Sequence, residues 1–354
     1  MIIIKRMFTK RAKTLPDNVF RLLNARIVFQ LATLFAVCWL QQACGGKSRG
    51  EATDFRVALL TPGPISDQAW NGGAYNGLLR TRDSLGAKIS HIQVKTPSDF
   101  EENFRQYGAS GYSLVIGHGF EFQDAAARVA PDYPNTVYVT TGGETVRPNV
   151  AALSFAFDEP SFLAGMVAAS VSRSGVVACI GGTELPPVKA SFEAFTAGVH
   201  AIKPAAQVIV TYVGNWDDMG AGKEQALALI QRGADVIFQN ADAAGLGVFQ
   251  AAKERLGIFV IGSNSNQNEI APAAVLGSVV IDLPHAFLLV AREVQSGTFT
   301  GRVIRFGTRD NVVRWEPSVL LGRRAVARDL QRVDSVQAMM RAGAFARPIT
   351  GARP

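Results

Sequence analysis

Cysteine and histidine are scarce in this chain: its 354 residues hold three Cys and four His. Three cysteines make no disulfide framework. His91, His118, His200 and His285 stand at no metal-ligand spacing with one another, with a cysteine or with a carboxylate. There is no G-x-S-x-G elbow and no Walker A loop, and Gly245-Leu246-Gly247 lacks the third glycine of a dinucleotide fingerprint. Asp217 and Asp218 adjoin in sequence and would point apart, which makes them a poor acid/base pair. These gaps argue against catalysis, and neither a metal nor another cofactor is expected.

A third shortage is positive charge in the body of the chain. The formal net charge is +7, yet residues 1–43 carry seven basic side chains against Asp17. The rest of the chain holds 29 basic and 28 acidic residues. A near-neutral domain has no general grip on a phosphate backbone, so no nucleic-acid partner is expected. Within it, residues 302–354 hold eleven Arg against four acids, which reads as the solvated face of a helix.

The basic N-terminal stretch precedes an apolar run over 27–40, then Ala43, Cys44 and Gly45-Gly46-Lys47-Ser48-Arg49-Gly50. A positive segment, a short apolar segment and a small residue at the cut are what an export signal needs. The run is shorter than the ~20 residues of a spanning helix. The stretch resembles a bacterial lipoprotein signal, in which the cysteine is lipid-modified. The alternatives are an ordinary secretory signal or an uncleaved anchor. The expectation is a signal over 1–43, lipidation at Cys44, a flexible tether over 44–53, and a working domain outside the cytoplasm on a membrane.

About 310 residues remain, more than one core usually holds, so two lobes are expected. Short β-branched runs at 55–60, 88–94, 113–116, 136–140 and 151–157 alternate with helical patterns. Ser98-Asp99-Phe100-Glu101 reads as a capping box opening one of them. The alternation then restarts. Strands are read at 176–180, 207–213, 235–239, 258–261 and 275–281, and helices at 161–172, 192–201, 222–232, 246–256 and 284–296. Residues 302–306 and 312–315 and a helix over about 324–342 close the chain. Alternation at this spacing predicts an α/β fold of two doubly wound parallel sheets. Lobe 1 is expected to hold 54–157 with 275–300, and lobe 2 to hold 158–274 with 301–354. Cys179, inside an apolar strand, reads as a buried inert thiol.

Ligands of such sheets bind beyond the carboxyl ends of the strands. Polar and aromatic residues gather at those places. The first loop offers Asp67, Trp70 and Asn71; Ser66 or Asp67 could also cap the helix, and Trp70 could pack under its own loop. Phe120 follows another strand within Gly117-His118-Gly119-Phe120, and Thr140-Thr141-Gly142-Gly143-Glu144 a third. In the second block Gly181-Gly182-Thr183-Glu184, Trp216, Asn240 with Asp242, and Asn264 stand at strand ends. Rings with amides and carboxylates suit the stacking and edge-bonding of a heterocycle.

The stretch Gly63-Pro64-Ile65-Ser66-Asp67-Gln68-Ala69-Trp70-Asn71 resembles the first-loop motif of the basic membrane protein family. These are lipid-anchored substrate-binding proteins of ABC importers, many of which bind purine nucleosides or nucleobases. Further matches follow in order: Gly117-His118-Gly119-Phe120, Glu159-Pro160-Ser161-Phe162-Leu163-Ala164-Gly165, and Phe195-Thr196-Ala197-Gly198-Val199. Then come Tyr212-Val213-Gly214-Asn215-Trp216-Asp217-Asp218, Gly233-Ala234-Asp235-Val236-Ile237 and Gly262-Ser263-Asn264-Ser265-Asn266-Gln267.

The resemblance implies a type I periplasmic-binding fold, with two lobes joined by a three-stranded hinge that close on ligand. It implies a monomer that binds a small heterocycle and delivers it to an ABC permease. Trp70 and Trp216 match the aromatics that take the two faces of the base, and Asp67 and Asn71 the polar contacts of the first loop. Asn264 stands where nucleoside-binding members tend to have an Asp on the ribose. Pro62 stands where an Asp is frequent, and no Lys is found near Ile281. With Phe120, Asn240 and Asp242, these are the expected ligand-binding residues. A sensor signalling to a membrane partner could use the same cleft. An enzyme such as a nucleoside hydrolase would need a carboxylate cluster that the sequence does not display.

Overall fold

The structure, a computed structural model, describes residues 54–345 other than Gln68. The expected signal, Cys44 and the whole of the tether lie outside these residues. Among the described residues twelve strands, most of them apolar β-branched runs, form two sheets. The first sheet takes β1 (Arg56–Thr61), β2 (Lys88–Gln93), β3 (Leu114–Gly117), β4 (Val137–Thr141) and β5 (Val150–Phe155), plus β11 (Val303–Phe306). Their order is β2-β1-β3-β4-β5-β11, all parallel. The second takes β6 (Val176–Gly181), β7 (Gln207–Tyr212), β8 (Val236–Asn240), β9 (Phe259–Asn264), β10 (Val275–Ile281) and β12 (Val313–Pro317). Its order is β7-β6-β8-β9-β10-β12, with only β12 antiparallel. Both sheets therefore reverse winding at their first strand, between β1 and β3 and between β6 and β8, where the crevice of such a sheet opens.

Two segment assignments differ from the sequence expectation. Val275–Ile281 belongs to the second sheet, and Val303–Phe306 to the first. Burial explains the position each takes within its sheet, interior or edge. All seven residues of β10 are buried, so it fits only inside a sheet covered on both faces. β11 is short, with exposed or half-buried positions before Phe306, and suits an edge. The chain thus crosses between lobes three times, at residues 155–158, 281–283 and 306–313.

Helices cover the sheets: α1 (Trp70–Leu85), α2 (Pro97–Ala109), α3 (Gln123–Val129), α4 (Asp158–Val171), α5 (Pro186–Ile202), α6 (Met219–Gln231), α7 (Asp242–Lys253) and α8 (Leu283–Gln295). The short α9 (Leu321–Arg324) and α10 (Ala327–Arg341) are the last helices among the described residues, with α10 against α4. The α2 capping box lies two residues earlier than Ser98: the Asp99 amide donates to Thr96 Oγ1 and the Thr96 amide to Asp99 Oδ2. Pro97 at the first helical position has its φ already set for that start. α4 is buried on nearly every side, as a helix whose body after Glu159 is almost wholly apolar and small must be. It meets α5 at Gly165 and Gly198, whose missing Cβ atoms admit the Phe195 and Phe162 carbonyls of the partner helix. α8 packs on α1, with Phe287 against Gly77. Cys179 is buried in the core, its thiol pushed well up by desolvation.

Candidate functional site

A cavity of about 500 Å³ lies between the lobes, at the carboxyl ends of both sheets. The loops after β1, β3 and β4 and the end of β5 build one wall; those after β6 and β7 and the ends of β8, β9 and β10 build the other.

The first loop is fixed from below. Asp67 is buried and accepts four hydrogen bonds. The Ala69 and Gly72 amides donate to Oδ1 at 3.0 and 2.8 Å, and the Asn71 amide and its Nδ2 donate to Oδ2 at 2.7 and 2.8 Å. Asp67 therefore caps the first turn of α1 and aims Asn71, and it does not line the cavity. That corrects its expected place among the ligand contacts: its oxygens are already taken by the turn it holds. Asn71 Oδ1 accepts from the Gly63 amide at 3.4 Å, tying the loop's start to the helix.

Trp70 is half-buried and has one face covered. Its ring stacks on His118, with centroids 4.0 Å apart and planes 26° apart. The Trp70 carbonyl can only accept, so His118 Nε2 carries the proton it donates across 3.0 Å. Nδ1 then accepts from Thr141 Oγ1 at 2.9 Å. Burial pushes the His118 pKa down to about 3, against the opposing pull of the Trp70 carbonyl. A neutral imidazole thus backs the indole, Phe155 meets its edge at 6.3 Å, and the ring lines the cavity.

Across the cavity, Trp216 packs against Gly182, where any Cβ would collide with its six-membered ring. Asn215 Oδ1 accepts from the Asp217 and Asp218 amides, which makes the two acids diverge. Asp217 lines the cavity, while Asp218 caps α6 through the Ala221 amide. Asn264 Nδ2 donates to Asn240 Oδ1 at 3.2 Å and to Asp242 Oδ1 at 3.3 Å. Asp242 (φ 49°) and Asn264 (φ 65°) both adopt left-handed backbone, a strain that often marks functional loops. Desolvation, then the charge of Asp67, raises the Asp242 pKa well above the carboxylate range; Glu121 and Asp217 add to it and the Asn264 bond opposes it. Burial also raises Glu121.

Seven of the eight expected residues come together here: Trp70, Asn71, Phe120, Trp216, Asn240, Asp242 and Asn264 all line the cavity. Of the loop Gly181-Gly182-Thr183-Glu184 none does; the next residues, Leu185, Pro187 and Val188, form an apolar wall instead. Phe157, at the first interlobe crossing, and Ile281, at the second, also reach the cavity. The other three histidines serve structure: His91 bonds Thr61 Oγ1, His200 the Ala206 carbonyl, and the His285 amide caps onto Asp282. Among the described residues, no group of three His, Cys, Asp or Glu is placed to hold a metal ion. No helix among them is long and apolar enough to cross a membrane.

Two α/β lobes, three crossovers and a cavity facing both sheets' carboxyl ends define a binding protein of the type I periplasmic kind. A solute-binding protein of an ABC transporter system from Aeropyrum pernix superposes with a TM-score of 0.77 at 21% identity, over 84% of this chain and 94% of that one. The chain belongs to the PnrA-like family of ABC transporter substrate-binding proteins, whose model matches residues 55–333. An ABC transporter nucleoside-binding protein of Lactococcus lactis is 28% identical over 71% of each chain. A transcriptional activator protein of Bacillus subtilis is 26% identical over 78% of this chain and 86% of its own length.

Proposed function

We propose that this protein is a monomeric, lipid-anchored receptor outside the cytoplasm that captures a purine nucleoside, nucleobase or related heterocycle and delivers it to an ABC permease. The observation that carries the reading is the pair of supported indoles on one cavity. Trp70 is braced by His118 and Trp216 by the Gly182 backbone, so each offers its remaining face to a flat ring. Asn71, Asn240 and Asn264 supply amides for its edge, and about 500 Å³ suits a nucleoside-sized ligand. The family and the nucleoside-binding relative support the ligand class. Ligand would bridge the lobes and favour their closure about the three crossovers. No catalytic step and no cofactor are involved.

A melting-temperature screen of the purified protein against bases, nucleosides, sugars and amino acids tests the ligand. A rise with purines or kindred rings is expected; a response confined to sugars or amino acids refutes it. Cys44 would carry the anchor, so labelled fatty acid should enter the protein and be lost in Cys44→Ser. The likeness to a transcriptional activator favours a second reading, a ligand sensor signalling to a membrane partner. Deleting the protein distinguishes the two: a receptor's loss abolishes uptake of labelled ligand, a sensor's loss only the transcriptional response to it.

A further inference from the structure

We infer that the cavity selects a heterocycle carrying positive charge on its ring over the neutral and phosphorylated forms of the same ring. The inference rests on the heterocycle reading above and narrows it. Four carboxylates line the cavity: Glu121, Glu144, Asp217 and Asp242. No Lys, Arg or His is among its lining residues. None of the four acids has an ion-pair partner among the described residues, while some acids outside the cavity do, as Glu293 has in Arg302 and Glu316 in Arg314.

Asp242 is the decisive one. It is 6% exposed and sits at the cavity with Oδ1 accepting from Asn264, and no described donor reaches its other oxygen. Buried carboxylates are normally paired or fully hydrogen-bonded. The contrast with Asp67, which has four donors, shows that this chain can satisfy a buried acid where the structure needs it. Without ligand, burial keeps a proton on Asp242. A ring cation seated against it would release that proton to solvent and take its place, so the partner of the carboxylate is left to the ligand. The surrounding rings suit the same guest, because the faces of Trp70, Phe120 and Trp216 attract a desolvated cation as well as a flat ring. A phosphate would meet four acids and no counter-charge. The sum is a cavity whose potential draws cations and repels nucleotides.

Calorimetry on the purified full chain tests this with matched pairs. They are 7-methylguanosine against its uncharged isostere 7-methyl-7-deazaguanosine, and 1-methyladenosine against adenosine, with adenosine monophosphate as the anionic member. The cation of at least one pair should bind tenfold or more tighter than its neutral partner, and the monophosphate should bind weakest. Asp242→Asn should cut that preference to about threefold or less. Should that variant fail to fold, Asp217→Asn in an intact protein should lower it in the same direction. Neutral members binding as tightly as their cations would overturn the inference and leave the heterocycle reading standing. A preference that survives both substitutions would overturn the role given to the carboxylates. Failure of every ring, charged or neutral, would overturn the heterocycle reading and this inference with it.

Discussion

Replacing Trp70 with alanine probes both faces of one ring. On the cavity side, stacking of a base on an aromatic side chain contributes about 1–3 kcal/mol as measured by truncation to alanine. About 1.4 kcal/mol is tenfold in affinity, so calorimetry should show ligand binding weakened by at least about tenfold. On the protein side, the indole covers His118 at 4.0 Å. Removing it admits water to an imidazole whose pKa is held near 3 by burial. The His118 pKa should therefore climb toward its ordinary value of 6.5, and an NMR titration of its ring protons reads this directly. Trp70 is only half-buried, so its loss should cost less than the roughly 3–5 kcal/mol typical of a buried Trp→Ala change. Trp70→Phe should keep most of the binding and most of the His118 shift. An affinity within twofold of the parent in Trp70→Ala would refute the stacking role. An unmoved His118 titration would refute the claim that the indole is what dries it.

Other outcomes follow from the same geometry. Gly182→Ala places a methyl against the Trp216 ring and forces it to swing; loss of one stacked ring is worth about 1 kcal/mol, or roughly fivefold in affinity, with the circular dichroism spectrum unchanged. His118 stays neutral in the fold while the unfolded chain protonates it near pH 6.5, so stability is present above that value and is lost as pH falls toward 3. By about pH 5 the loss should reach roughly 2 kcal/mol, and denaturant titrations should find it gone in His118→Gln. Asp242 behaves oppositely. Its raised pKa keeps the proton on in the fold when the unfolded chain has released it, so ligand-free stability falls as pH rises above the carboxylate range. The groups that face it, Asp67, Glu121, Asp217 and Asn264, carry no positive charge to reverse that sign. Asp242→Asn should then gain melting temperature on the parent as pH rises above the carboxylate range, and a constant difference would count against a buried carboxyl.

Much of the fold is written locally. Strand runs such as Val176-Val177-Ala178-Cys179-Ile180 and Leu114-Val115-Ile116 are apolar because both faces of a parallel strand are buried, and that pattern survives without any partner in view. Membership of a sheet is not local in this sense. β10 and β11 have the hydrophobicity of buried and edge strands, but which sheet each joins depends on chain crossings that no residue pattern records. Helix starts were obscured for a different reason. α5, α6 and α7 begin at Pro186, Met219 and Asp242, three to six residues ahead of their periodic apolar stripes. Those first turns spend their residues on the cavity or on caps, and so resemble loops. That concealment is why the wall of Leu185, Pro187 and Val188 went unforeseen.

The site's composition was legible where its connectivity was not. An Asp three residues before a Trp is as good a cap as a ligand contact, and the sequence permits both. The four donors around Asp67 decide for the cap, and in doing so they explain the neighbouring residues. Asn71 has its amide nitrogen held by Asp67 and its oxygen by Gly63, so it enters the cavity in one orientation. Trp70, anchored at its carbonyl by His118, is held in register with it. The acid thus acts through two residues that a ligand can touch. Asp242 is the complementary case: a carboxylate of the same type, equally buried, with one weak donor where Asp67 has four. Two aspartates alike in sequence are separated by what surrounds them. One is satisfied by the protein and is structural, while the other has an oxygen that no described donor reaches, at the edge of the cavity.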